Sequence, residues 1–152
     1  MIQRKQTLFL LLLVFAGIAL LFVSVATVTI NGSSFELCLV PLVSASTIIQ
    51  STIGHLTAIV LNFIGLILAF LTILIYSKRQ LQIKMCYALM LIWLIIDLMI
   101  IFCPFVKEVK GMTVQINYLS SVIGAIGVIG AYLASRFIKK DIELLKSADR
   151  IR

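Results

Sequence analysis

Charge is scarce in this chain of 152 residues, and acidic charge scarcest: 12% of residues are charged, six Asp and Glu against thirteen Lys and Arg. There is one histidine, and there are two prolines and three cysteines. One His with no Cys or carboxylate at ligand spacing argues against a zinc centre, and the lack of a C-x-x-C pair argues against a thiol oxidoreductase. Three cysteines are too few to staple a small secreted scaffold. No nucleophile elbow, phosphate-binding glycine loop or dinucleotide fingerprint occurs. A soluble enzyme and a disordered tail are excluded by the shortage of polar residues, and neither a cofactor nor a catalytic residue is expected.

What the chain has instead is apolar residues, 62% of the total, with a mean hydropathy of +1.18. Uncharged runs over 6–35, 37–77 and 111–135 each reach or exceed the roughly 20 residues that cross a bilayer as helix. Helices are the form in which such runs satisfy their own backbone in lipid. They are read over 6–24, 52–76, 83–103 and 118–138. A cleaved signal peptide over 1–26 is the competing reading of the first run, but the apolar stretch 8–25 is longer than a signal core of about 7–15 residues.

The basic residues orient these spans. Arg4 and Lys5 precede the first, Lys78, Arg79 and Lys84 separate the second from the third, and Arg136, Lys139, Lys140, Lys146, Arg150 and Arg152 follow the fourth. Only Lys107 and Lys110 fall between the third and fourth. Four crossings with both termini in the cytoplasm satisfy the positive-inside bias, and lipid headgroups account for the net charge of +7 without nucleic acid.

The outer link over 25–42 has a strand period: Val28 and Ile30, then Asn31-Gly32, then Phe35, Leu37 and Leu39. Asn-Gly suits a type I′ turn, so the link reads as a hairpin, ended by Pro41. In the second outer link Met112, Val114 and Ile116 alternate with polar residues, which predicts a third strand covering one edge of that hairpin. The expected fold is therefore an all-α membrane protein, residues 1–152 as one domain, with four transmembrane helices, a small antiparallel sheet on the outer face and a cytoplasmic helical tail over 139–152.

In helix four Ser120, Gly124, Gly127, Ala131 and Ala134 form a stripe of small residues, expected to seat helix one or two. Asp97 is the lone acid within a span and needs a partner. Counting depth along the helices places Asn62 near its level, with Ser120 and Ser121 further out, so a polar cluster is expected. It reads as a structural clasp or, alternatively, as the site of a small proton- or ion-coupled transporter or channel. His55 reads as a headgroup-level polar residue. Cys38 and Cys103 both belong near the outer face, where a disulfide and free thiols are both open.

The tail is helical by composition, and Asp141 and Asp149 interrupt its apolar side, which favours contact with a protein partner or with Lys78, Arg79 and Lys84 over anchoring on anionic lipid. A solvated basic end that only fixes topology is the plainer alternative. Met1-Ile2-Gln3-Arg4, Gln6-Thr7, the basic link from Lys78 to Lys84 and the terminal Ser147-Ala148-Asp149-Arg150-Ile151-Arg152 resemble domain of unknown function 4293, a family of small bacterial four-helix inner-membrane proteins. The resemblance implies a fold and a bacterial inner membrane and no activity. It directs attention to Gln3, Arg4, Lys146, Ser147, Asp149, Arg150 and Arg152 as the surface of a non-enzymatic accessory subunit that docks a larger membrane assembly, with membrane lipid as its other partner.

Overall fold

The computed structural model describes residues 5–30, 33–39, 53–75, 78–102 and 112–149. Among these residues the apolar runs form four helices: α1 (Lys5–Phe22), α2 (Ile53–Leu74), α3 (Arg79–Phe102) and α4 (Tyr118–Asp149). Three strands among the described residues, β1 (Ser24–Ile30), β2 (Ser33–Cys38) and β3 (Met112–Ile116), give the order α1-β1-β2-α2-α3-β3-α4. Each helix packs on its neighbours in sequence, and α4 closes the ring against α1. Among the described residues, His55–Leu74, Arg79–Phe102 and Tyr118–Leu144 are long and apolar enough to cross a membrane, whereas the apolar stretch of α1, Thr7–Phe22, is shorter.

The ends of α1 and α2 shift by one or two residues from the sequence reading, and two of the differences have a visible cause. Ser24 starts β1 rather than ending α1, because it already lies in register opposite Cys38. Helix α3 begins at Arg79, four residues before Ile83, where the sequence reading starts it. Its first turn is retained because Gln82 is buried against the end of α2 and donates its side-chain N–H to the Thr72 carbonyl at 3.1 Å.

The strands form one antiparallel sheet in the order β2-β1-β3. Ile30 pairs with Ser33, so two residues connect β1 to β2, and β3 lies on the other side of β1 with Val28 opposite Val114. This is the hairpin with an added third strand that the alternation predicts. Asn31, Gly32 and Pro41 lie outside the described residues. Thr27 and Thr29 reach the carbonyls of Gln115 and Thr113, and the Thr29 and Thr113 hydroxyls bond each other. Asn117 then joins sheet to helix. Its N–H donates to the Val25 carbonyl at 2.9 Å, its side-chain amide donates to Ser24 Oγ at 2.7 Å, and its Oδ1 accepts from the Leu119 N–H at 3.1 Å as the N-cap of α4.

Within the ring, buried positions step by threes and fours, the spacing of a left-handed seam. On α3 they are Gln82, Cys86, Leu89, Trp93, Ile96 and Ile100. On α2 they are His55, Ala58, Asn62, Gly65, Ala69 and Thr72, all of them small or polar. Ile59, Leu61, Leu66, Leu68 and Ile73 pack partly against the core, while the other large apolar residues of α2 lie outside, Leu56 at 62% exposure and Phe70 at 58%. The other helices also carry exposed rows, including Leu8 and Phe15 on α1, Leu91 and Leu98 on α3, and Val122 and Ile129 on α4. The bundle thus keeps small and polar side chains inside on α2 and presents large apolar ones outward all round.

The small stripe of α4 corrects one expectation. Gly124 and Gly127 face α3, not α1 or α2: a Cβ at Gly124 would fall 2.6 Å from Asp97 Oδ1, and one at Gly127 would overlap the Trp93 indole. Gly130, one turn on, is the glycine that looks toward α1, against Leu12 and Leu13. The α3 side wins because it carries the two groups, an indole and a carboxyl, that need a helix with no side chain in the way.

Trp93 is the chain's single tryptophan and 3% exposed, so its fluorescence reads this contact directly. Gly127→Ala forces the indole aside and is expected to cost about 1–3 kcal/mol, the range for overpacking a tight core. Emission should shift as the ring is displaced. An unchanged spectrum with unchanged unfolding in detergent would show that the α3–α4 seam tolerates the added methyl.

Candidate functional site

The hydrogen bonds of the polar residues singled out from the sequence fall in two seams, α3 with α4 and α1 with α2. Asp97, on α3 one and a half turns from its Phe102 end, is half-buried against Gly124 and accepts a hydrogen bond from Ser121 Oγ at 3.0 Å. Asn62, on α2, is buried and donates to the Gly17 carbonyl of α1 at 3.4 Å. Ser120 is buried but returns its hydroxyl to the Asn117 carbonyl at 2.7 Å, within the first turn of its own helix.

Each seam therefore has the same construction, a polar side chain from an inner helix of the sequence set against a glycine of an outer one. A Cβ at Gly17 would come within 2.7 Å of Leu66 and 3.4 Å of Asn62 Oδ1, as one at Gly124 would meet Asp97. Gly17 escaped the sequence reading because it sits alone in a leucine-rich run, with no second glycine to complete a stripe. The signal that finds it is on α2: the small and polar residues from His55 to Thr72 recur every three or four positions and mark that face as buried.

At the end of the bundle that carries the sheet, His55 is buried and its Nε2 lies 3.2 Å from the Cys38 carbonyl, which fixes that nitrogen as the donor. The Cys38 thiol donates to the Phe22 carbonyl at 3.3 Å. Burial pushes this thiol above the ordinary range, and the nearby Glu36 carboxylate adds to the shift. Cys103 lies outside the described residues, and with it the question of a bridge to Cys38.

At the opposite end, α4 runs without interruption to Asp149. Ile138 is buried and Ile142 packs on the core, while Leu144, placed by the helical wheel on the same apolar side, is 60% exposed. Arg79 donates to the Asp141 carbonyl at 3.5 Å, joining the start of α3 to the tail. Lys139 donates to Tyr87 Oη at 2.6 Å, with its ammonium 5.2 Å from the ring centre. Ser147 turns its hydroxyl back to the Leu144 carbonyl at 2.8 Å. Gln3, Arg4, Arg150 and Arg152 lie outside the described residues, as do the side chains of Lys146 and Asp149.

Two measurements follow from these contacts. Ser121→Ala removes the hydroxyl partner of Asp97 and is expected to cost about 1–2 kcal/mol in detergent unfolding, the scale of an interhelical hydrogen bond; Asp97→Asn keeps an acceptor at that place and should cost less. Equal losses would show that the contact is not what Asp97 contributes. For Cys38, alkylation in a Cys86→Ala, Cys103→Ala background should rise at a pH above that of an ordinary thiol, because only the thiolate reacts. Glu36→Gln removes a negative neighbour that disfavours the thiolate, so the midpoint should move down; an unmoved midpoint would leave burial as the whole cause.

No curated protein and no solved structure matches the chain at a significant level. A family model does, over almost the whole length: the one described as Domain of unknown function (DUF4293) matches residues 2–151, spanning all four helices and all three strands. The chain belongs to that family.

Proposed function

We propose that this is a four-span inner-membrane protein of non-enzymatic, accessory character that docks a larger membrane assembly through its cytoplasmic end. The observation that carries the membrane half is the inverted order of α2, whose fully buried positions are small or polar while eight of its large apolar side chains, Leu56 to Leu74, are exposed. In water such a surface would leave each exposed leucine or phenylalanine unburied, at about 1.5–3 kcal/mol apiece; in lipid the same side chains are solvated. Basic residues at the α2–α3 link and along the end of α4 set that end in the cytoplasm, with the sheet outside.

The docking half rests on the tail. Helix α4 runs eleven residues, about 16 Å, beyond Ile138; Ile142 still packs on the core, and past it Leu144 is exposed among charged neighbours, which suits a protein contact. Arg79 steadies the base of that projection. The interior polar groups, by contrast, are engaged locally: Asn62 with α1, Asp97 with Ser121, and Thr72 and Ser135 with carbonyls of their own helices. Such an arrangement suits a clasp better than a relay, since Asn62 and Asp97 sit in different seams.

The reading is tested in two steps. Tagged protein should stay with membranes through alkaline extraction, and a reporter fused to either terminus should be shielded from external labelling. Removing 147–152 should then strip co-purifying membrane proteins from the mild-detergent isolate while leaving the bundle folded. Externally labelled termini, or an unchanged set of partners, would overturn the corresponding half.

A further inference from the structure

The cytoplasmic part of α4 carries three cations within five residues, Arg136, Lys139 and Lys140, and the structure treats them differently. Lys139 is committed to Tyr87 of α3. Arg136 and Lys140, four apart and therefore on one helix face, are exposed and have no hydrogen-bond or ion-pair partner among the described residues. With Lys139 and Glu143 they line an open groove along α4, of about 590 Å³, whose apolar side is Leu133 and Phe137. Phe137 is held in place by stacking on Phe9 of α1, ring centres 5.3 Å apart and planes 11° from parallel.

Depth identifies what this hollow faces. Arg136 lies eighteen residues into α4 from Tyr118, about 27 Å along the axis, against a hydrocarbon thickness of about 30 Å. The guanidinium therefore stands at the boundary between acyl chains and headgroups, one turn deeper than Lys140. Tyr87 marks the same level on α3, as interfacial tyrosines do, and by holding Lys139 it leaves the other two cations for an external anion. A hollow with a greasy wall and a basic rim matches a molecule that is itself divided in this way.

We propose that Arg136 and Lys140 bind the phosphate of one anionic phospholipid of the cytoplasmic leaflet, with Leu133 and Phe137 against the upper part of its acyl chains. The guanidinium makes the paired hydrogen bonds to the phosphodiester, and the lysine supplies a second charge from the water side. Glu143 lines the same groove, and its carboxylate opposes any anion placed beside it, so the phosphate is held at the Arg136 and Lys140 end. This assignment rests on the membrane reading above and goes beyond it in naming a lipid class and the residues that select it.

The test uses the full chain in nanodiscs of zwitterionic lipid doped with spin-labelled phosphatidylglycerol or spin-labelled phosphatidylcholine. The wild type should show a motionally restricted phosphatidylglycerol component in excess over phosphatidylcholine. Arg136→Gln with Lys140→Gln should reduce that preference by at least about fivefold for each charge removed, whereas Lys146→Gln should leave it in place. Arg136→Lys, which keeps the charge and loses the fork, should retain part of it. Equal restriction of the two lipids in the wild type, or a preference undiminished in the double variant, would overturn the site. Displacement by millimolar inorganic phosphate would also overturn it, by showing an anion site that does not need the acyl chains. Failure of the chain to enter the discs at all would instead sink the membrane reading.

Discussion

Two helix backbones can approach closely only where no side chain stands between them, and the ring of four helices is organised around the places where that happens. Gly17 admits α2 to α1, Gly124 admits the Asp97 carboxyl, and Gly127 gives the indole of Trp93 a flat surface. In the lipid surroundings proposed above, burial of leucine supplies little preference for the bundle over separated helices, and close packing with a few hydrogen bonds would carry the association. The glycines are consequently also where polar groups are found. Removing a side chain opens a backbone carbonyl, as at Gly17 for Asn62, or leaves space for a carboxyl, as at Gly124.

This construction admits a few polar groups to a mainly apolar interior without joining them in a single network. Thr72 returns its hydroxyl to Leu68, Ser135 to Tyr132 and Ser120 to Asn117, each to the carbonyl of an earlier residue nearby. Gln82 bridges α3 to α2 through its N–H, and its Oε1 is the one buried side-chain acceptor left without a partner among the described residues. Polar groups that are satisfied close to home add little cost to a low-dielectric interior and fix the rotation of each helix about its axis.

Much of this was legible in the sequence, for reasons that differ between elements. Long uncharged runs can only be helices in lipid, so four helices follow from composition. The alternation around Val28 and Val114 is short, but it occurs twice, and both strands flank helices whose length was already set. Seam assignment was another matter. The spacing from Ser120 to Ala134 reveals that a backbone comes close and says nothing of whose, because every helix of such a bundle offers apolar neighbours. Only the demand of Trp93 and Asp97 for room decides for α3. Depth counting likewise placed Asn62 and Asp97 at one level without fixing the direction in which each points, which is a question of helix rotation. The start of α3 at Arg79 was hidden because charge at a helix end resembles charge in a loop.

The sheet draws together parts of the chain that are made far apart in time. β1 emerges directly after α1, yet one of its edges is covered by β3, and Thr27 meets Gln115 across 88 positions of sequence. During synthesis that strand has only β2 beside it until the last quarter of the polypeptide arrives, and α4 cannot take its place beside α1 without bringing β3 with it. The three-stranded cap thus acts as a latch between the oldest and youngest helices, so that closing the ring and completing the sheet are a single late event rather than two.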